Sequence, residues 1–103
     1  MKFKTEYATY AGCEFRTGRY GNGNLALMVE SSTEGPICTC TVNPGIEVDD
    51  DCIAIKDYSE NEGMAETLKE MGVIKGEPVY RIASGWVEIP VYELGEKGLA
   101  LFR

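Results

Sequence analysis

The sequence contains no histidine and is short of positive charge: 10 Lys and Arg stand against 17 Asp and Glu, a formal net charge of −7. Without imidazole, the commonest side chain for proton transfer near neutral pH is missing, and any catalytic base would be a carboxylate, amine, phenol or thiol. The acidic balance argues against nonspecific binding to a nucleic-acid backbone. No apolar run approaches the ~18 residues that would read as a membrane helix. The opening residues, Met1-Lys2-Phe3-Lys4-Thr5-Glu6-Tyr7, alternate charge with aromatics where a signal peptide would carry an apolar core. A cytoplasmic location without membrane association is therefore expected. Missing too are a GxGxxG turn, a GxxxxGK[ST] phosphate loop, a GxSxG elbow and an HExxH helix, so the sequence points away from an enzyme.

What is present suits one small folded domain over residues 1–103. The chain is 44% hydrophobic and 26% charged, apolar enough to build a core and unlike a disordered tail. Four cysteines, Cys13, Cys38, Cys40 and Cys52, would allow three disulfide pairings in an oxidising compartment, which nothing else in the chain indicates. Free thiols are expected. A CxC, two isolated cysteines and no histidine lack the paired spacing of a structural zinc site, so no metal or other cofactor is expected. In an extended strand Cys38, Cys40 and Val42 share one face, where Cys acts as a small apolar side chain.

Short alternating runs separated by Gly, Pro and Asn predict a strand-rich chain. Residues 2–10 alternate as one strand. Residues 13–20 and 24–30 flank Gly21-Asn22-Gly23, whose Asn-Gly step favours a tight hairpin. The β-branched stretch 37–42 reads as a strand ended by Asn43-Pro44-Gly45, and 52–55 as a short further one. Ser59-Glu60-Asn61-Glu62 fits a capping box for a helix over about residues 60–71, with Met64, Leu68 and Met71 forming its apolar stripe and Gly72 ending it. Residues 78–83 and 86–93 follow as strands, the latter at an edge or bulged because Pro90 lacks an amide proton. The predicted fold is α+β in the order βββββαββ: a curved, mostly antiparallel sheet of about six to seven strands with one packed helix.

The distribution of charge is the most informative feature. Residues 1–46 and 78–103 are each neutral, and residues 47–77 hold ten carboxylates against three lysines, so this stretch carries the whole net charge of −7. Asp49-Asp50-Asp51 lacks the spaced ligands and central Gly of a calcium loop. Glu60 and Glu62 at the predicted helix start would oppose a phosphate there. A concentrated acidic surface on a small domain attracts basic surfaces, and carboxylates can take the places that phosphates occupy in a nucleic-acid groove. The alternative reading is a solvated face that serves solubility alone. The candidate partner-binding residues are Asp49, Asp50, Asp51, Asp57, Glu60, Glu62 and Glu66, with Tyr58 as an aromatic anchor or else a core residue. Arg16, Arg19 and Tyr20 at the hairpin form a second candidate surface.

Three stretches, Thr41-Val42-Asn43-Pro44-Gly45, Ile55-Lys56-Asp57-Tyr58-Ser59-Glu60-Asn61-Glu62-Gly63-Met64 and Ser84-Gly85-Trp86-Val87-Glu88-Ile89-Pro90-Val91, carry a resemblance. The chain resembles a family of small proteins of unassigned function carried by phages and conjugative elements of Gram-positive bacteria, and in size and character it is similar to type II anti-CRISPR proteins. The resemblance implies a noncatalytic inhibitor of a basic nucleic-acid-binding protein, the type II CRISPR effector nuclease, that blocks loading of guide RNA or target DNA. It transfers no catalytic residue. Two other classes stay open: an interaction module of the element's own transfer or replication machinery, and a small enzyme or metal protein built on the cysteines. An inhibitor of a different host defence nuclease is a variant of the first reading.

Overall fold

The computed structural model describes residues Met1 to Arg103. Its architecture is α+β, as the sequence predicts, but the strands divide among three antiparallel sheets instead of one. The first pairs β1 (Phe3–Lys4) with β2 (Thr9–Tyr10). In the second, β3 (Cys13–Arg19), β4 (Leu25–Ser31) and β5 (Gly35–Thr39) lie in that order. The third contains β6 (Cys52–Ala54), β7 (Ile74–Ser84) and β8 (Val87–Leu94) in the order β6-β8-β7. A 3₁₀ turn at Ser59–Asn61 leads into α1 (Met64–Glu70), and α2 (Glu96–Leu101) closes the chain.

Residues 2–10 form a hairpin, not a single strand. The Thr5 hydroxyl accepts from the amides of Tyr7 and Ala8 at 3.3 and 3.2 Å, and the Thr5 amide donates to the Ala8 carbonyl at 2.8 Å. This side-chain turn reverses the chain without Gly or Pro, so alternation alone does not reveal it. The β3–β4 hairpin forms as expected, with Gly23 at φ 90° and the Tyr20 amide donating to the Asn24 carbonyl at 2.8 Å. The next strand begins at Gly35 and leaves its sheet after Thr39; Thr41 bridges to Ile55 instead.

Strands β6 and β8 are covered on both faces, following their period-two alternation. Ile53, Tyr92 and Leu94 enter the main core with Phe3, Leu27 and Leu68, while Cys52, Ala54, Ile89 and Val91 form a second cluster. Phe3 meets Phe15 edge to face at 5.9 Å, the favoured geometry for paired rings. Strand β8 is therefore central, which corrects the edge position expected from Pro90. The Pro90 carbonyl accepts from the Ile55 amide at 3.0 Å, so its missing N–H falls on the β6 side, just past the last residue of β6. The register irregularity lies on β7, between Lys75 and Tyr80.

The helix is shorter than predicted and its capping box does not form. Ser59 sits at φ 55° without a capping hydrogen bond, and Gly63 at φ 90° is the residue preceding the first helical turn. Asp57 takes over the cap, its Oδ1 accepting from the Ala65 amide at 3.0 Å. The exit follows expectation. Gly72, at φ 79°, donates to the Lys69 carbonyl at 3.0 Å, and Val73 donates to that of Leu68 at 3.0 Å, a Schellman closure whose two apolar residues are fully buried. The unpredicted α2 lies against this exit: a Cβ on Gly98 would stand 2.2 Å from the Val73 carbonyl oxygen and one on Gly95 2.3 Å from that of Gly72. No helix is long and apolar enough to cross a membrane.

Candidate functional site

The acidic residues singled out by sequence fall into two places with different neighbours. Asp49, Asp50 and Asp51 are exposed on the loop leading into β6. That loop is held by the buried Asn24, whose Nδ2 donates to the Ile46 carbonyl at 2.7 Å and whose Oδ1 accepts from the Val48 amide at 2.9 Å. Its backbone is tied further at Asp49, whose carbonyl accepts from Cys52, and at Asp51, whose carbonyl accepts from Leu94, both at 2.9 Å. The three carboxylates thus project from ordered backbone.

Carboxylate oxygens of Asp49 and Asp51 and the Cys52 thiol lie within 4.8 Å of one another. Burial, and then Asp51, push that thiol up to about 11, and it points at Asp51 Oδ1 at 3.6 Å. Two exposed carboxylates beside a buried core cysteine are a common surface arrangement, and the group reads as a surface acid pair.

Glu60, Glu62 and Glu66 lie elsewhere, beside a groove of about 410 Å³ between the β1–β2 hairpin, β5 and the turn that carries α1. Asn61, buried within that turn, donates from Nδ2 to the Thr39 carbonyl at 2.7 Å and fastens the turn to β5. On the opposite wall the Thr67 hydroxyl donates to the Lys4 carbonyl at 3.3 Å, joining α1 to β1. Exposed glutamates, Glu6, Glu62, Glu66 and Glu70 together with Glu60, surround an apolar floor of Tyr10, Ile37, Cys38 and Met64. Cys38 and Cys40 share a face as expected, and the proximity of the two thiols lowers that of Cys38 and, together with burial, raises that of Cys40.

Three of the sequence-selected residues already have partners inside the fold. The Asp57 carboxylate caps α1. Tyr58 is half-buried against the second cluster, with the Lys56 ammonium 5.9 Å from its ring centre. Glu60 is ion-paired with Lys56, and that hydrogen bond lowers its carboxyl and raises the Lys56 ammonium. The second candidate surface is likewise engaged: Arg16 pairs with Glu30 at 2.8 Å, Arg19 donates to the Gly23 carbonyl at 2.9 Å, and the Tyr20 hydroxyl meets that of Thr41 at 3.2 Å. These are the only two ion pairs, so Asp49, Asp50, Asp51, Glu62 and Glu66 remain exposed and uncompensated.

Two exposed aromatics escaped the sequence reading. Tyr7 tops the β1–β2 hairpin at 75% exposure and lines the groove. Trp86, assigned by alternation to a strand, stands fully exposed at the tip of the β7–β8 hairpin, where the preceding Ser84-Gly85 turn was the available signal. A scan against protein-family models finds no match to the chain, and neither a curated protein nor a solved structure matches it.

Proposed function

We propose that the protein is a noncatalytic anti-defence inhibitor that acts in the bacterial cytoplasm, docking its acidic surface onto a basic nucleic-acid-binding protein, the type II CRISPR effector nuclease. One observation carries this reading: Asp49, Asp50, Asp51, Glu62 and Glu66 are exposed and outside any ion pair, the first four on backbone held by buried asparagines and Glu66 on the helix capped by Asp57. Negative charge presented on ordered backbone needs little rearrangement to meet lysines and arginines that otherwise hold guide or target phosphates. The specific target comes from the chain's similarity, in size and character, to type II anti-CRISPR proteins. The same surface disfavours direct binding to nucleic acid.

The test is DNA cleavage by purified type II nucleases with the protein added before guide RNA, after guide RNA, or omitted. Loss of cleavage on early addition alone places the block at guide loading, and loss in both orders places it at target binding or cutting. Unchanged cleavage in both orders across several such nucleases rejects this target and favours an interaction module serving the element's own machinery.

A further inference from the structure

We infer that the groove between the β1–β2 hairpin and α1 is the specific recognition site of this protein, and that its occupant is a lysine- or arginine-bearing segment of a partner protein. The inference deepens the reading of the acidic surface given above and rests on it for the partner's identity, though not for the chemistry of the groove.

Three features of the groove select this occupant. Its exposed edge carries Glu6, Glu62, Glu66 and Glu70 against one lysine, Lys4, while Glu60 is neutralised by its ion pair with Lys56, a balance that favours a cationic ligand and repels phosphate or carboxylate. Its floor is apolar, with Ile37 and Tyr10 half-buried and Met64 buried. Lysine and arginine match that combination, because their aliphatic stems cover apolar surface while their charged heads reach outward to carboxylates. Tyr7, exposed at the hairpin tip on the groove's lip, adds an aromatic face of the kind that anchors interfaces and attracts guanidinium groups.

The walls are also set before binding. Asn61 fastens one wall to β5 at 2.7 Å, and Thr67 joins α1 to β1 at 3.3 Å. A volume of about 410 Å³ is at the small end of ligand sites, room for one or two long side chains and not for a folded element. Asp49, Asp50 and Asp51 do not line it. They contribute a general field, whereas the groove discriminates among cations by the apolar stem each one carries.

The experiment is fluorescence polarisation with the full chain and a short labelled peptide that alternates arginine with leucine, competed by hexaamminecobalt(III), a cation with no aliphatic stem, at matched total charge. The inference expects saturable binding that weakens at least about tenfold in the Glu62→Lys, Glu66→Lys double variant. Reversal of Asp49, Asp50 and Asp51 to lysine is expected to weaken it less than about threefold. Carbamidomethylation of Cys38 on the floor should block the peptide, and the Cys38→Ser variant should bind it and be indifferent to the reagent. Equal loss from both charge reversals, competition by hexaamminecobalt(III) as effective as by unlabelled peptide, or binding unaffected by modification of Cys38 overturns the groove. Peptide binding with this pattern alongside full nuclease activity would retain the groove and reject the CRISPR target; nuclease inhibition that survives the Glu62, Glu66 reversal would do the opposite.

Discussion

Asp57 Oδ1 accepts a hydrogen bond from the Ala65 amide at 3.0 Å, eight residues further along the chain. The relationship turns one of the acidic residues of the 47–77 stretch into a cap for α1 and separates it in role from Glu62 and Glu66, which have no partner in the fold.

Asp57→Ala is accordingly expected to lower stability by about 1 kcal/mol, the usual worth of a lost helix cap, with little effect on inhibition once the protein is folded. Urea denaturation paired with a cleavage assay checks both halves. A variant of unchanged stability that no longer inhibits would move Asp57 back to the contact surface.

The thiols should differ sharply in reactivity. Cys38 is partly exposed and its thiol is lowered by the neighbouring Cys40, whereas Cys13, Cys40 and Cys52 are buried. Brief iodoacetamide treatment of the native protein near pH 8 should add one label, located at Cys38 by peptide mass spectrometry, and denaturation should release the other three. Labelling spread evenly over the four would contradict this arrangement.

Cys52 also predicts the direction of an alkaline response. Its thiol titrates at about 11 in the fold against an ordinary value of 9.0, so the folded state holds the proton more tightly than the unfolded state does. The stabilising contribution is present in full below the unfolded value and fades as pH rises through the folded one. Cys52→Ala should flatten the loss of stability between about pH 9 and 11, measured by denaturant midpoints. An unchanged slope would sink this assignment.

Gly98 is expected to tolerate no side chain. Its Cβ would meet the Val73 carbonyl oxygen at 2.2 Å, which is backbone and cannot swing aside. Gly98→Ala should cost at least about 2 kcal/mol through overpacking, even though alanine favours helices. A thermal midpoint at or above that of the parent chain would show that α2 is free to shift.

Much of this architecture is legible in the sequence where a local rule and the tertiary packing agree. The Asn22-Gly23 step predicts the hairpin, and Gly72 the end of α1, because both positions demand a left-handed backbone that other residues resist. Legibility fails where a distant residue overrules a local pattern. Ser59 and Glu62 match a capping box, but the chain tightens into a 3₁₀ turn that buries Asn61 against Thr39, and Asp57 caps in their place. The helix α2 was hidden because Gly98 lowers its intrinsic propensity, and Gly95 and Gly98 are needed for close approach to Gly72 and Val73. At the site, charge distribution located the acidic stretch but not its division: Glu60 is taken by a local i,i+4 ion pair with Lys56, and the groove beneath Tyr7 depends on the β1–β2 hairpin and β5 packing against the turn.

The central claim is that uncompensated carboxylates on ordered backbone carry inhibition. The most direct test compares DNA cleavage by a susceptible type II nuclease in the presence of the parent chain, the Glu62→Lys, Glu66→Lys variant and the Asp49→Lys, Asp50→Lys, Asp51→Lys variant, each first shown to be folded by circular dichroism. The account predicts that reversal at Glu62 and Glu66 abolishes inhibition and that reversal of the aspartates weakens it chiefly by slowing association, at unchanged stability within about 0.5 kcal/mol. Full inhibition by both variants would contradict it.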